Sequence, residues 1–519
     1  MFLTQCVKRA AQVSGGKTAT RFGKRCHDWS TFKHRVASLA GGMQQLGLSA
    51  GERVAILALN SDRYLELFFA VPWAGGVVVP INIRLAPPEI LFTLNDSESE
   101  ILVVDDAFAQ ILPALVGKMA TVKKIIFAGD GTTPSDCVNY ETLIAQHAPV
   151  ADAERGHHDL AGLFYTGGTT GRAKGVMLTH DNLMSNALNV LPFMQFNEES
   201  VYLHVAPMFH LADCASTFAL TMAAGTHTFL PKFDAEATLK IIQEEKVSVC
   251  LLVPTMVNML INFPDFSKYD VSSLKTVLYG ASPMPEAVLL RAMAMLPNCQ
   301  FKQGYGMTET SPVMTFLDHR YHVLTGPLSG KLKSAGYPAF GVEILIVDDN
   351  DIELPRGQVG QIIARGPNVM HGYWKLPEAT QDALRNGWMH TGDMAYMDND
   401  GFVFIVDRSK DMIISGGENI YSSETEQAIY QHPAVQECAV IGIPHPSWGE
   451  SVHGVVVFKA GQSATEEELN THCKQLIAGY KCPRSWEIRK EPLPMSGAGK
   501  ILKTELRKPY WQDKDKGVN

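Results

Sequence analysis

Tyr165-Thr-Gly-Gly-Thr-Thr-Gly-Arg-Ala-Lys-Gly-Val176 is the stretch from which the rest of the chain becomes readable. The apolar lead-in Leu163-Phe164 reads as the end of a strand, and a loop of glycine and threonine closed by a lysine follows. Glycine lets backbone N–H groups turn toward a phosphate, threonine adds hydroxyl donors, and Lys174 adds charge. The loop is not a Walker A sequence, because Gly171 is followed by Arg172 instead of Lys-Ser/Thr. From composition alone it serves equally well as a surface turn or as a phosphate cradle.

Three further segments lie downstream. In Gln303-Gly-Tyr-Gly-Met-Thr-Glu-Thr310, Thr308 offers a hydroxyl to a phosphate oxygen and Glu309 a hard oxygen ligand to Mg²⁺; a turn capped by Thr308 reads as well. Trp388-Met-His-Thr-Gly-Asp393 places a carboxylate where it takes ribose hydroxyls or builds a β-turn, and Asp407-Arg408-Ser-Lys410 follows it. Pro494-Met-Ser-Gly-Ala-Gly-Lys500 sets a lysine after a glycine-rich loop, a pattern shared with solvated surface lysines.

Between these segments apolar runs alternate with helical patterns. Val54-Ala-Ile-Leu, Ile101-Leu-Val-Val, Lys124-Ile-Ile-Phe, Val249-Cys-Leu-Leu and Thr276-Val-Leu-Tyr predict parallel sheets with crossover helices. From about Gly341 short strands separated by turns predict an antiparallel, β-barrel-like subdomain, and a small α+β unit follows Asp407. The expected fold is α/β: a large N-terminal domain of stacked sheets over residues 1–406, a hinge at 407–411, and a mobile C-terminal domain over 412–519. Asp407-Arg408-Ser-Lys-Asp411 is polar and lacks a bulky apolar anchor, as a hinge requires.

The bulk numbers narrow the function. A chain of 519 residues exceeds one core and predicts about three or four compact units. Apolar residues at 46% and charged residues at 19% describe an ordinary globular protein. With 54 acidic against 45 basic residues the net charge is -9, which gives no reason to track nucleic acid. Nine scattered cysteines without a CxxC pair predict neither disulfides nor a zinc site and fit a reducing cytoplasm. The first residues lack the apolar core of a secretion signal, and Leu67–Ile83 is broken by Pro72, Gly75, Gly76 and Pro80, so no membrane span is expected.

Taken in order, the four segments resemble the adenylate-forming superfamily of acyl-CoA synthetases, luciferases and peptide-synthetase adenylation domains, and most of all the fatty-acid and 4-coumarate CoA ligases. Gly51-Glu-Arg-Val-Ala-Ile, Val79-Pro-Ile-Asn82, Pro207-Met-Phe-His210 and Leu278-Tyr-Gly-Ala-Ser-Pro283 extend the resemblance over nearly the whole chain. It implies an ATP-dependent acid–thiol ligase that makes an acyl-adenylate and then an acyl-CoA thioester, with Mg²⁺ as cofactor, ATP and CoA as co-substrates, and a homodimeric assembly. It also implies roles. Thr166, Thr169, Thr170, Gly171 and Lys174 match the loop around the β- and γ-phosphates. Gly280, Ala281, Ser282, Gly304 and Tyr305 match the walls around adenine, and Asp393 and Arg408 the ribose contacts. Thr308 matches the α-phosphate contact, Glu309 the Mg²⁺ ligand and Lys500 the lysine between acyl carboxylate and α-phosphate. His210 matches the gate of the acyl pocket, Lys410 the hinge, and Gly416, Gly417 and Glu418 the CoA-binding segment.

The chain departs from the family pattern at four places. Gly167 stands where Ser is usual, Ala173 and Ser422 where Pro is usual, and Met495 where Arg is usual. Phe209-His210 replaces the Phe-Asp of amino-acid activators, which disfavours that rival. Retention of Glu309 and Lys500 disfavours a catalytically dead nucleotide sensor. Transfer to a carrier protein or a luciferase-like oxidation is the remaining alternative. The acyl-pocket segments at His210, Val253–Met256, Tyr279–Ser282 and Gly304–Thr308 are small and apolar, and so predict a medium- or long-chain fatty acid or an aryl acid.

Overall fold

The computed structural model describes residues 1–166, 173–408, 410–415, 418–497 and 499–511, with Arg408 by its backbone alone. The apolar runs of the first half become two large, mostly parallel sheets. One has eight strands in the order Gly372–Tyr373, Lys174–Thr179, Leu160–Thr166, Val77–Pro80, Arg53–Leu57, Ser99–Val104, Lys124–Phe127, Val138–Asn139. The other has nine; its parallel centre runs Gln300–Gly306, Thr276–Gly280, Val249–Leu252, Val201–His204, Thr226–Phe229. Strands buried on both faces need no polar alternation, which is why these segments read as unbroken Val/Ile/Leu runs.

Packed among these sheets is the helix Asp62–Trp73, buried along its whole length and capped by Ser61, whose hydroxyl accepts from the Tyr64 N–H at 3.1 Å. A helix buried all round can carry charge only if each charge is paired. Asp62 meets Arg25 at 2.8 Å, Arg63 meets Glu141 at 2.9 Å and Glu66 meets Arg35 at 2.5 Å. One contiguous apolar core spans both large sheets, and a second lies on the outer face of the eight-stranded one.

The antiparallel element is a four-stranded sheet, Glu343–Val347, Gly360–Arg365, Met389–Met397 and Val403–Arg408. The chain then builds a fourth sheet with cores of its own on both faces, from Ile413–Ser415, Glu418–Ile420, Val435–His445, Gly449–Phe458 and Ser485–Arg489. The helices Ser422–Tyr430, Glu466–Leu476 and Lys503–Trp511 complete this C-terminal unit. Among the described residues no helix is long and apolar enough to cross a membrane, and all nine cysteines are free thiols.

Parallel strands deliver their carboxyl ends to one edge, where open α/β sheets bind ligands. In the nine-stranded sheet His204, Leu252, Gly280 and Gly306 are such ends, and the segments leading to His210, Met256, Ser282 and Thr308 start from them. Sheet topology thus gathers segments that lie up to a hundred residues apart in the chain.

Candidate active site

Strands Leu160–Thr166 and Lys174–Thr179 lie on either side of the glycine-threonine stretch and pair antiparallel, with Thr166 opposite Lys174. Thr169, Thr170 and Gly171 lie outside the described residues, as do Gly167 and Arg172. The strand Leu160–Thr166 is anchored by the Tyr165 hydroxyl, which donates to Asp96 at 2.6 Å. The Lys174 ammonium lies 4.8 Å from the centroid of the Tyr373 ring, within cation–π range.

Tyr373 also reaches the second motif. Its hydroxyl donates to Oε1 of Glu309 at 2.9 Å, and the Glu309 carboxylate is buried, 6% exposed. The 3-10 turn Thr308–Thr310 that carries it is pinned through its backbone: the Glu309 carbonyl accepts from the Met370 N–H at 2.8 Å and the Thr310 carbonyl from Asn368 at 2.9 Å. Among the described residues no group of three His, Cys, Asp or Glu side chains could hold a metal by itself. One carboxylate is nonetheless a donor set Mg²⁺ takes when substrate phosphates and water fill the rest of its shell.

Gly280 and Gly304 are direct partners across the two central strands. A Cβ on Gly280 would lie 2.2 Å from the Gly304 carbonyl oxygen, so this close approach requires glycine. Ala281 follows with φ +64, a left-handed conformation that turns the chain sharply off the strand end. The result is a backbone wall with little side-chain relief, suited to a flat base. Tyr305 leaves the same edge and donates its hydroxyl to Asp393 at 2.7 Å; Asp393 is buried, 7% exposed, and pairs in register with Arg408 on the next strand. Two residues 88 apart in sequence, expected near base and ribose, therefore share one hydrogen bond.

Lys500 belongs to the C-terminal unit, yet its loop is seated on the large sheets. Arg84 donates to the Ser496 carbonyl at 2.7 Å and Thr255 to the Gly499 carbonyl at 3.3 Å. A Cβ on Gly497 would meet Asn82 at 2.4 Å, so this glycine lets the loop lie flat against the large sheets. Within the loop the Ser496 hydroxyl accepts from the Lys500 N–H at 3.1 Å. His210 caps the helix Leu211–Ala223, its Nδ1 accepting from the Ala212 N–H at 3.3 Å, which leaves the proton of the neutral ring on Nε2. Burial, and then the nearby charge of Lys500, push this imidazole down to about 3. His210 is thus a neutral ring facing a cation.

The segment before His210 is clamped from the other sheet by Asn60, which donates to the His204 and Ala206 carbonyls at 3.2 and 2.9 Å and accepts from the Met208 N–H at 2.8 Å. Asn60, Tyr373 and Arg84 carry no sequence signal, and Thr255 is read only as part of the segment Val253–Met256. Asn82 was quoted as part of a motif, but only its place against Gly497 gives it a task.

The hinge segment, expected to lack a bulky apolar anchor, makes polar contacts at Asp411 and Lys410. Asp411 pairs with Arg507 at 2.9 Å, and the Lys410 carbonyl lies 3.5 Å from the same guanidinium. Of the residues expected to bind CoA, Gly416 and Gly417 lie outside the described residues; Glu418 is exposed on the edge strand of the C-terminal sheet.

Residues 7–374 match the family described as AMP-binding enzyme, and residues 424–500 match the AMP-binding enzyme C-terminal domain. The chain is 40% identical over 504 residues to a feruloyl-CoA synthase of Amycolatopsis sp, covering 97% of this chain and 98% of that protein. It is 37% identical over 510 residues to a long-chain-fatty-acid–CoA ligase of Escherichia coli O157:H7, covering 92% and 88%. Its fold is similar to the crystal structure of an anthranilate CoA ligase in complex with anthranoyl-AMP, with a TM-score of 0.90 at 25% identity over 98% and 97% of the two chains.

Proposed function

The chain belongs to the AMP-binding enzyme family, and from that premise we propose that the residues gathered above activate an apolar fatty or aryl acid. The reaction class is that of an AMP-forming acyl-CoA ligase: acid and ATP give acyl-adenylate and pyrophosphate, and the CoA thiol then displaces AMP.

A carboxylate is a poor electrophile until its charge is removed, and in the first step it must approach another anion, the α-phosphate. Lys500 sits between the two and offsets their repulsion, and Thr308 binds the α-phosphate. Lys174 and Thr166 hold the outgoing phosphates together with Thr169, Thr170 and Gly171, which lie between them in the chain. Glu309 would hold Mg²⁺ against those phosphates, and the ion would supply charge neutralisation there. Gly280, Ala281, Ser282, Gly304 and Tyr305 enclose the base; Asp393 and Arg408 take the ribose. One preorganised donor of this kind is worth about 3 kcal/mol, or two to three decades in rate. For thiol attack Lys500 must vacate the mouth, so the unit 412–519 turns about the hinge 407–411 against residues 1–406 and brings Gly416, Gly417 and Glu418 toward CoA.

The observation that carries the reading is the seating of the Lys500 loop on Arg84 and Thr255, close enough for its charge to act on His210. The acid is assigned as apolar because the segments 207–210, 253–256, 279–282 and 304–308 contain no Asp, Glu, Lys or Arg to meet a second charge. A pyrophosphate-release assay over hydroxycinnamic acids, medium- and long-chain fatty acids and dicarboxylic acids tests this. Turnover is expected with the first three and not with the last; a preference for a dicarboxylic acid would overturn the assignment. Lys500→Ala is expected to lower pyrophosphate release by about two to three decades while sparing thioester formation from supplied acyl-adenylate. Normal pyrophosphate release in that variant would remove Lys500 from the role.

A further inference from the structure

Ser422, where the resembled family usually has proline, opens the helix Ser422–Tyr430 and is fully buried. Its backbone N–H donates to Oδ2 of Asp407 at 2.5 Å, and its hydroxyl donates to the same oxygen at 2.7 Å. The hydroxyl in turn accepts from the Lys503 ammonium at 2.6 Å. Lys503 also pairs with Glu426 at 2.7 Å and opens the helix Lys503–Trp511, three residues after Lys500. Asp407 belongs to the last strand of the four-stranded sheet and is the first residue of the hinge; Ser422, Glu426 and Lys503 all come after the hinge. The chain Asp407–Ser422–Lys503 therefore spans the hinge and ends beside the loop that presents Lys500.

We propose that Ser422 and Lys503 are positioning residues that latch the C-terminal unit in the arrangement seen here, holding Lys500 over the site for acyl-adenylate formation. This rests on the reading of Lys500 and of the hinge given above. A large torsional change at 408–411 cannot keep Asp407 against Ser422, so release of the latch is a condition of the turn. The release is inexpensive for the cation, because Glu426 lies on the same side of the hinge and keeps Lys503 paired when Asp407 departs. Proline at position 422 would have neither the N–H nor the hydroxyl and could not build this link.

The test assays the two half-reactions separately in the full-length enzyme, with ferulate or dodecanoate as acid and the matching synthetic acyl-adenylate for the second step. Ser422→Pro and Lys503→Met are expected to slow pyrophosphate release about tenfold, the equivalent of one charge-assisted hydrogen bond, and to leave thioester formation from supplied adenylate unchanged or faster. Ser422→Ala, which keeps the N–H to Asp407, should fall between Ser422→Pro and the parent enzyme, and it carries the test if the proline variant fails to fold. An equal slowing of both half-reactions would make the cluster merely structural, and unchanged pyrophosphate release in all three variants would exclude the latch. Lys500→Ala run in parallel separates the two claims: if it loses pyrophosphate release while the latch variants do not, only the latch fails; if it retains it, the reading of the site fails first.

Discussion

Glu309 keeps its carboxylate almost wholly out of water, with the Tyr373 hydroxyl on one oxygen and the backbone of its turn tied to Met370 and Asn368. Such a group cannot swing to find a ligand; it is aimed by its support. A neutral amide is a weaker partner for a hard cation than a carboxylate. Glu309→Gln is therefore expected to raise the Mg²⁺ concentration for half-maximal pyrophosphate release by roughly tenfold and to depress the first half-reaction, an effect of one charge-assisted contact. A Mg²⁺ titration identical to that of the parent would move the metal role to another residue. His210 illustrates the opposite strategy: burial and Lys500 favour its uncharged ring.

At the scale of elements, the paired strands and the hinge follow different rules. Thr166 and Lys174 are neighbours because antiparallel pairing places these strand ends together. The sequence reads 407–411 as a polar boundary, but the pairing of Asp411 with Arg507 depends on a helix that begins almost a hundred residues later. Proline fixes φ near -65° and removes a donor, so Lys410→Pro should block rotation. Because Lys500 is docked in the present arrangement, the variant is expected to retain pyrophosphate release and lose thioester synthesis from supplied acyl-adenylate. Equal loss in both assays would mean that the substitution disorders the segment, and no loss in either would place the turn elsewhere.

Across the whole molecule, stability is tied to buried neutral histidines. His180 and His322 are pushed down to about 4 and His210 to about 3, chiefly by burial. In His322 both ring nitrogens are engaged, Nδ1 with the Asp318 carbonyl at 3.1 Å and Nε2 with the Tyr279 hydroxyl at 2.8 Å, and it is burial that favours the uncharged ring. All three lie below the ordinary value of 6.5, so on acidification the unfolded chain takes up these protons first. Their contribution is complete above pH 6.5 and is lost as pH falls toward the folded values; by pH 5 the loss amounts to about 2 kcal/mol per histidine. A thermal melt series is expected to show Tm falling by several degrees from pH 7.5 to pH 5. A flat profile would mean that these rings accept protons in the native state.

The sequence alone was enough for the α/β class, the parallel rhythm and the family to which the chain belongs. These are properties of local periodicity and motif order, both of which act over a few residues. It could not show that Tyr373 joins Lys174 to Glu309, that Tyr305 meets Asp393, or that Asn82, Arg84 and Thr255 receive the Lys500 loop. Nor could it give Ser422 a purpose; read alone, the missing proline is only a departure. Those pairings are set by strand order and by how one unit docks on another. The same apolar runs are compatible with many strand orders, and a hydrogen bond between residues distant in the chain leaves no periodic trace, so only tertiary packing decided them.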